Sequence, residues 1–326
     1  MSFRNFELFC EVAECRNFSK AADRQRVSQS TVSQAVAHLE KQLGIELIDR
    51  SHRPLTLTPA GQHFFDGCRE LLTGFERLET EVRQLAGCIA GRLRVAAIYS
   101  VGLLQMDLYV HHFEEAYPDV ELRVDYVHPD QVYERIRSDN ADIGLISFPE
   151  DTSEFATIPW QEQPIALIVH PDHPLAKRVS EGYDSALIEA IQGEDFVNFT
   201  SELRVRNQLD RWLREAGVSP NVVHEFDNVE QVRRAVEDGV GVALLPEATV
   251  KRSIETGTLV SLKLSNVEWF RPLGVIHKRN RKLSHAANRF VELIHEDPIS
   301  LRDTDHKKSP REGRAGNRDQ KENAST

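Results

Sequence analysis

The sequence predicts an α/β protein in two unequal parts, a small helical N-terminal module and a larger C-terminal unit, joined by one long helix. Three observations carry this expectation. The chain has 326 residues, more than a single core ordinarily serves. Apolar residues recur at helical spacing to about residue 58 and again over 59–87. From Arg92 to about Glu296, short β-rich runs alternate with amphipathic stretches, the signature of an α/β sheet. With 40% apolar and 28% charged residues, the chain can build its cores without a metal or a disulfide.

In the N-terminal part, a helix is expected over 3–14, with Phe6, Phe9, Cys10 and Ala13 on one buried face. Asn17 and Ser19 then precede a short helix over 19–25, where Ala21 and Ala22 let another helix approach closely. Ser28 is placed to cap a third helix over 29–43. Its apolar positions are Val32, Val36, Leu39 and Leu43. The other face opens with Gln29, Ser30, Thr31, Ser33, Gln34 and His38, short hydrogen-bonding side chains without charge. A merely solvated face carries Lys and Glu, whereas base edges are read by amides and hydroxyls as well as by Arg. Two helices joined by a short turn, the second polar at its start, describe a helix-turn-helix. Gln29 or Gln34 suits adenine, and Ser28, Thr31 or Ser33 suits phosphates. Arg50 and Arg53, around a tight segment before Leu55-Thr-Leu-Thr58, suit a two-stranded wing reaching the backbone or minor groove.

The overall charge of −11 excludes a blanket nucleic-acid coat but not a local reading surface. The cysteines, at 10, 15, 68 and 88, have neither CxxC nor metal-ligand spacing and read as reduced, small apolar residues. Arg4, Glu7 and Glu11 interrupt any apolar run of the signal-peptide kind, and no stretch reaches membrane-spanning length. A cytoplasmic protein with no membrane partner and no cofactor is expected.

The ordered set Asn17-Phe-Ser-Lys-Ala-Ala22, Val27-Ser-Gln-Ser-Thr-Val-Ser33, Leu39-Glu-Lys-Gln-Leu-Gly44, Leu47-Ile-Asp-Arg50 and Leu57-Thr-Pro-Ala-Gly61 resembles the winged helix-turn-helix of LysR-type transcriptional regulators. The resemblance implies a regulator that binds double-stranded promoter DNA as a homodimer or homotetramer, with RNA polymerase as a further partner. Two departures stand out. Relatives usually carry proline where Ser30 stands and often arginine where Gln34 stands, so a relative's operator is no guide to this one's.

From Pro59, apolar residues fall at Phe64, Cys68, Leu71, Phe75, Leu78, Val82 and Leu85, alternating steps of four and three. That is a coiled-coil seam over about three heptads; an amphipathic helix lying on its own domain is the alternative. Similar helices in the resembling family pair antiparallel between subunits. Phe75 would then meet its symmetry mate, and no Cys68–Cys68 disulfide is expected.

The C-terminal unit opens with a strand, Gly91-Arg-Leu-Arg-Val-Ala-Ala-Ile98. A break at Ser100-Val-Gly102 and a helix over 103–117 follow, then strand 120–126, helix 131–138 and strand 142–147. A second unit begins near Pro164, with strands over 165–170 and 196–199, helix 202–216, strand 222–226, helix 229–238 and strand 240–245. The chain returns through strand 270–277 and helix 284–295. Two crossings between α/β units make a two-lobed, periplasmic-binding-protein-like pair with a cleft, and Ala141-Asp-Ile-Gly-Leu145 and Gly239-Val-Gly-Val-Ala-Leu-Leu-Pro246 resemble the same family's effector domain. The implied division is 1–58 for the winged helix-turn-helix and 59–90 for the linker. The effector domain takes 91–297, with lobe I over 91–163 and 269–297 and lobe II over 164–268. The polar stretch 298–326 reads as a flexible tail, with weak non-specific DNA contact as the sharper alternative.

Ser100, Val101 and Gly102 open one helix after a strand, and Thr200 and Ser201 open another. Hydroxyls beside free N–H groups there suit a carboxylate or other anion. A small anionic or polar effector is therefore expected on Ser100, Thr200 and Ser201, with His128, Phe148, Phe199, Asn228 and Gly241 nearby; ordinary N-caps are the alternative. His170-Pro-Asp-His-Pro174 reads as a hinge loop rather than a metal site, and Gly239/Gly241 is no dinucleotide fingerprint. A transporter's solute-binding protein would need a signal peptide and no helix-turn-helix. An enzyme would need a catalytic constellation, and none assembles, so no catalytic residue is expected.

Overall fold

The computed structural model describes residues 2–51, 54–85, 89–103, 106–177 and 184–296. Three helices open the chain: α1 (Phe3–Cys15), α2 (Phe18–Gln25) and α3 (Gln29–Leu43). Each begins at a side-chain cap. Asn17 Oδ1 accepts from Lys20 N at 3.0 Å, and Ser28 Oγ accepts from Thr31 N at 3.1 Å. Leu8, Phe9, Val12, Ala21, Val32, Val36 and Leu39 fill the space between the helices. The buried stripe of α1 is Leu8, Phe9, Cys10 and Val12, whereas Phe6 and Ala13 are only half-buried. The stripe is wider than expected because a fourth helix also packs on α1. A two-stranded wing follows, β1 (Ile48–Asp49) against β2 (Thr56–Leu57).

The long helix α4 (Pro59–Leu85) starts on a tight junction. Thr58 Oγ1 donates to Glu46 O at 2.8 Å and accepts from Gly61 N at 2.9 Å. A Cβ at Gly61 would lie 1.9 Å from the Leu47 carbonyl oxygen, so only glycine lets the helix pass this close to the backbone. Gly61→Ala is expected to destabilise the N-terminal module by about 1–3 kcal/mol or more, read by thermal unfolding.

The seam on α4 is shorter than its heptads suggest. Phe64 packs on Phe9 and Phe6, at 5.4 and 6.0 Å between centroids, and Cys68 is buried beside Cys10. The first turns thus spend their apolar face inside their own module, which corrects the placing of Phe64 and Cys68 on an intermolecular face. The Cys68 thiol and then burial push the Cys10 thiol up, so Cys10 packs as a neutral group. Leu71, Phe75, Leu78 and Val82 are exposed, and Phe75 also rests on Phe3, 4.7 Å between centroids. The Leu85 side chain, Arg53, Cys88 and the tail 298–326 lie outside the described residues.

Two sheets form the C-terminal unit. The first takes β3 (Gly91–Ile98), β4 (Val120–Val127) and β5 (Ile143–Ser147), joined by antiparallel β12 (Phe270–Lys278) and the first part of β6 (Phe155–Val169), in the order β4-β3-β5-β12-β6. Around it lie α5 (Tyr99–Gly102), α6 (Met106–Ala116), α7 (Pro129–Arg137) and the last helix, His285–Ile294. The second sheet takes residues 165–169 of β6 with β10 (Ala243–Pro246) and β11 (Val260–Leu264), and β7 (Ser185–Ala186) pairs with β11. A parallel pair, β8 (Asp195–Phe199) and β9 (Asn221–Phe226), bridged from β8 to Val242 just before β10, completes this lobe with α8 (Arg204–Glu215), α9 (Val229–Glu237) and α10 (Glu247–Glu255). Each lobe has its own apolar core.

One strand, β6, therefore runs through both lobes, and the chain returns between β11 and β12. The expected strand over 165–170 is only the second half of β6. Pro159, Pro164 and the polar run Gln161-Glu-Gln163 hide the first half, because proline and unbroken polarity argue against a paired strand. The break expected at 100–102 is a short helical turn, α5, and within the helix expected over 103–117 lies α6, Met106–Ala116.

Candidate functional site

The N-terminal module presents the start of α3. Ser28, Gln29, Ser30, Thr31, Gln34 and His38 are exposed, and Ser33 is half-buried. Ser28 Oγ lies 2.7 Å from Ser30 Oγ and 2.8 Å from Thr31 Oγ1, so the three hydroxyls form one cluster at the helix start. Gln29, Gln34 and His38 have no intramolecular side-chain partner among the described residues, leaving their donors and acceptors available to a base edge. Lys20 on α2 and Arg26 at its C-cap, both exposed, precede this row in the chain. Arg50 is committed differently: it pairs with Glu40 at 2.7 Å and sits 5.7 Å over the Phe18 ring. Glu40, which sequence reasoning did not single out, also accepts from Leu47 N and Ile48 N at 3.0 and 3.2 Å. It clips the wing to α3, and so sets where the wing stands relative to the reading helix.

A cavity opens between the two lobes, lined by Tyr99 and Ser100 of α5, Ser147, Phe199, the start of α8, Asp227-Asn228 and Arg271. Arg271 is 4% exposed. Its Nε donates to Gln163 Oε1 at 3.1 Å, as does Nη2, and Nη1 donates to Ser100 Oγ at 3.0 Å. Both partners are neutral, and among the described residues no carboxylate reaches it. Burial alone pulls the guanidinium down to about 9. Across the cavity mouth, Arg204 ties the lobes together, 2.6 Å from Glu150 and 5.0 Å over the Tyr133 ring. At the hinge, Trp212 and Trp269 stack at 5.3 Å, with Phe148 at the edge of Trp212.

A helix-turn-helix with a wing, a long helix and a two-lobed unit with a cleft are matched together by two family models. One, described as "Bacterial regulatory helix-turn-helix protein, lysR family", covers residues 3–62. The other, "LysR substrate binding domain", covers 87–298. The chain belongs to the LysR family of transcriptional regulators. It is a DNA-binding transcription regulator, not an enzyme, with a substrate-binding C-terminal unit. Relatives agree along nearly the whole length. The RuBisCO operon transcriptional regulator of Allochromatium vinosum is 26% identical over 90% of this chain and 95% of its own. The regulator CysL of Bacillus subtilis is 27% identical over 85% and 91%. Among solved folds, full-length OxyR from Pseudomonas aeruginosa superposes with a TM-score of 0.66 at 22% identity, over 90% of this chain and 98% of that one. CbnR, solved with its target DNA, superposes with a TM-score of 0.65 at 20% identity, over 90% and 99%.

In this LysR regulator the residues expected around the effector divide. Ser100, Phe199 and Asn228 line the cavity. Val101 is buried in the core of lobe I, and Gly102 backs onto the Tyr126 ring. Thr200 and Ser201 do not open a helix: α8 begins at Arg204, a turn later, and is capped at Leu203 without a side-chain bond. His128 and Asn228 cap α7 and α9. Phe148 sits at the hinge, with a left-handed φ of 49°. Gly241 packs away from the cleft, where a Cβ would lie 2.3 Å from the Asp195 carbonyl oxygen, so its smallness serves the approach of β8 to the segment before β10. Ser100 lies inside a four-residue turn, and its hydroxyl is held by Arg271. Arg271 itself went unnoticed. The signal was present: an arginine two residues before the apolar run Leu273-Gly-Val-Ile276, inside a stretch that reads as a buried strand.

Proposed function

We propose that the exposed row from Ser28 to His38 enters the major groove of promoter DNA, delivered by a homodimer or homotetramer, and that the inter-lobe cleft answers a small anionic effector. Residues 1–58 act as the reader, 59–90 as the linker and 91–297 as the sensor, in a cytoplasmic protein. The observation that carries the reading half is the uncharged pair Gln29 and Gln34 on the exposed face of α3, without a side-chain partner among the described residues. The sensing half rests on Arg271, a buried cation that pairs with no carboxylate among the described residues. Effector binding changes lobe closure, and closure changes the spacing or bend imposed on the operator, provided the effector prefers one arrangement. Footprinting the DNA upstream of its own gene, with and without small anions, tests both halves. Protection that an anion alters supports the reading, and no protection at all rejects it.

Pairing rests on Leu71, Phe75, Leu78 and Val82, an apolar stripe that α4 leaves exposed. Phe75→Glu would place unpaired charges in that seam, so dimer affinity should drop at least about 100-fold. Sedimentation should then find a single chain at micromolar concentration. An unchanged dimer would remove the seam from this face.

A further inference from the structure

Lobe I grips lobe II at two points. Directly after β5 the chain turns through Phe148-Pro149-Glu150, and this elbow is anchored in lobe I. Phe148 N donates to Pro272 O at 2.9 Å. Pro149 lies against Gly274, where a Cβ would come within 2.8 Å of its Cγ, and the next residue, Asp151, pairs with Arg279. Two side chains leave the elbow for α8 of lobe II. Glu150 Oε1 lies 2.6 Å from Arg204 Nη1 in the first turn of that helix. The Phe148 ring meets Trp212, two turns on, edge to face at 6.3 Å between centroids. Tyr133 of α7 reinforces the first point. Its ring lies 5.0 Å from the Arg204 guanidinium carbon, and its hydroxyl accepts from Glu150 N at 3.4 Å.

The elbow is also strained. Phe148 has a φ of 49°, a left-handed conformation that a bulky side chain takes only under constraint. Strain of this kind works against the gripped state by a factor of roughly 5 to 150. On the other side stand a half-exposed ion pair, one cation–π contact and one edge-to-face ring pair. Together these favour the grip by a factor of roughly 10 to 300. The two ranges overlap, so the grip is balanced close to release. Glu150 has no second cation among the described residues. Arg137, in the same outer groove, is taken by Glu134 and Glu154 at 2.8 and 2.9 Å.

We infer that Phe148 and Glu150, closing on Trp212 and Arg204, form a clasp that sets the separation of the lobes and loosens as ionic strength rises. This rests on the reading that lobe closure is what the sensor controls, and adds a control that acts without an effector. Salt screens the Arg204–Glu150 pair. The ring contacts that remain no longer outweigh the strain at Phe148, and α8 moves off the elbow.

Acrylamide quenching of tryptophan emission tests the clasp in the full-length protein, with no effector added. The chain has three tryptophans. Trp160→Phe removes the one outside the hinge and leaves the stacked pair Trp212 and Trp269 as the probe. Acrylamide is neutral, so added salt acts on the protein rather than on the quencher. Between about 50 and 500 mM NaCl the quenching constant should rise by roughly 1.5- to 5-fold, the factor an exposed ion pair carries. Glu150→Gln should start at the raised value and lose the salt dependence. Quenching that is flat in salt with Glu150 in place, or that still rises with salt in Glu150→Gln, overturns the clasp.

A second measurement keeps all three tryptophans. Asparagine tolerates the left-handed conformation, so Phe148→Asn removes the ring and the strain together. Tm should fall by no more than about 5 °C, because the lost contact and the relieved strain nearly cancel. A larger fall, as for a phenylalanine in a packed core, overturns the clasp. No effector takes part in either measurement, so an overturning result leaves the anionic-effector reading standing.

Discussion

Replacing Gln34 by alanine should weaken binding to the protein's own operator by roughly 30-fold to 10⁴-fold, since a base contact is worth about 1–3 kcal/mol and a dimer loses it in both half-sites. Affinity for scrambled duplex should hardly move, because Gln34 carries no charge and contributes nothing to counterion release. Lys20→Ala is the contrasting variant. Lys20 is exposed on α2, the helix that packs against α3, so its loss should weaken specific and non-specific binding alike and lower the salt slope by about one unit per contact. If Gln34→Ala instead behaved like Lys20→Ala, or left operator binding unchanged, α3 would not be the element that reads bases.

The second large effect concerns the cleft. Arg271→Met combined with Gln163→Leu removes a buried charge and the amide that holds it, leaving an apolar pair of similar volume. Exchanges of this kind are neutral or stabilise by about 1–4 kcal/mol. Unliganded protein should therefore unfold at the same temperature or a few degrees higher, while its operator footprint stops responding to anions. The pH dependence follows the same sign. Folding depresses the Arg271 value, so the folded state favours the neutral form, and any stability gain from losing the proton comes only as pH rises above about 9. Near neutral pH the charge stays in place and ready for an anion. A double variant that is much less stable without ligand would mean that Arg271 serves packing rather than binding.

Local rules made some parts of this molecule legible. The third helix spans 29–43 as its pattern requires, because Ser28 caps it, Gly44 ends it with a positive φ of 69°, and Val32, Val36 and Leu39 line one face. The two-lobed plan was legible too, from strands alternating with helices and a return near residue 270. What stayed hidden depends on contacts distant in sequence. The first half of β6 reads as loop, and only its partner strand β12 makes it a strand. Phe64 and Cys68 keep the heptad rhythm, yet α1 claims them before a second subunit could. The cleft residues were the least legible. A hydroxyl next to a helix start looks the same in sequence whether it caps that helix, as at Ser28, or takes a hydrogen bond from a strand 171 residues away, as at Ser100. Arg271 is visible as a receptor only once its burial and its neutral partners are known.

The central claim is that paired copies of α3 distinguish one duplex from another. Equilibrium binding of the unmodified protein to the DNA upstream of its own gene, against a scrambled duplex of equal length, from 50 to 200 mM salt, tests it most directly. The expected result is a preference of about 10³-fold or more for the upstream DNA, with both affinities falling as salt rises. Equal affinity for the two duplexes across that range would contradict the account.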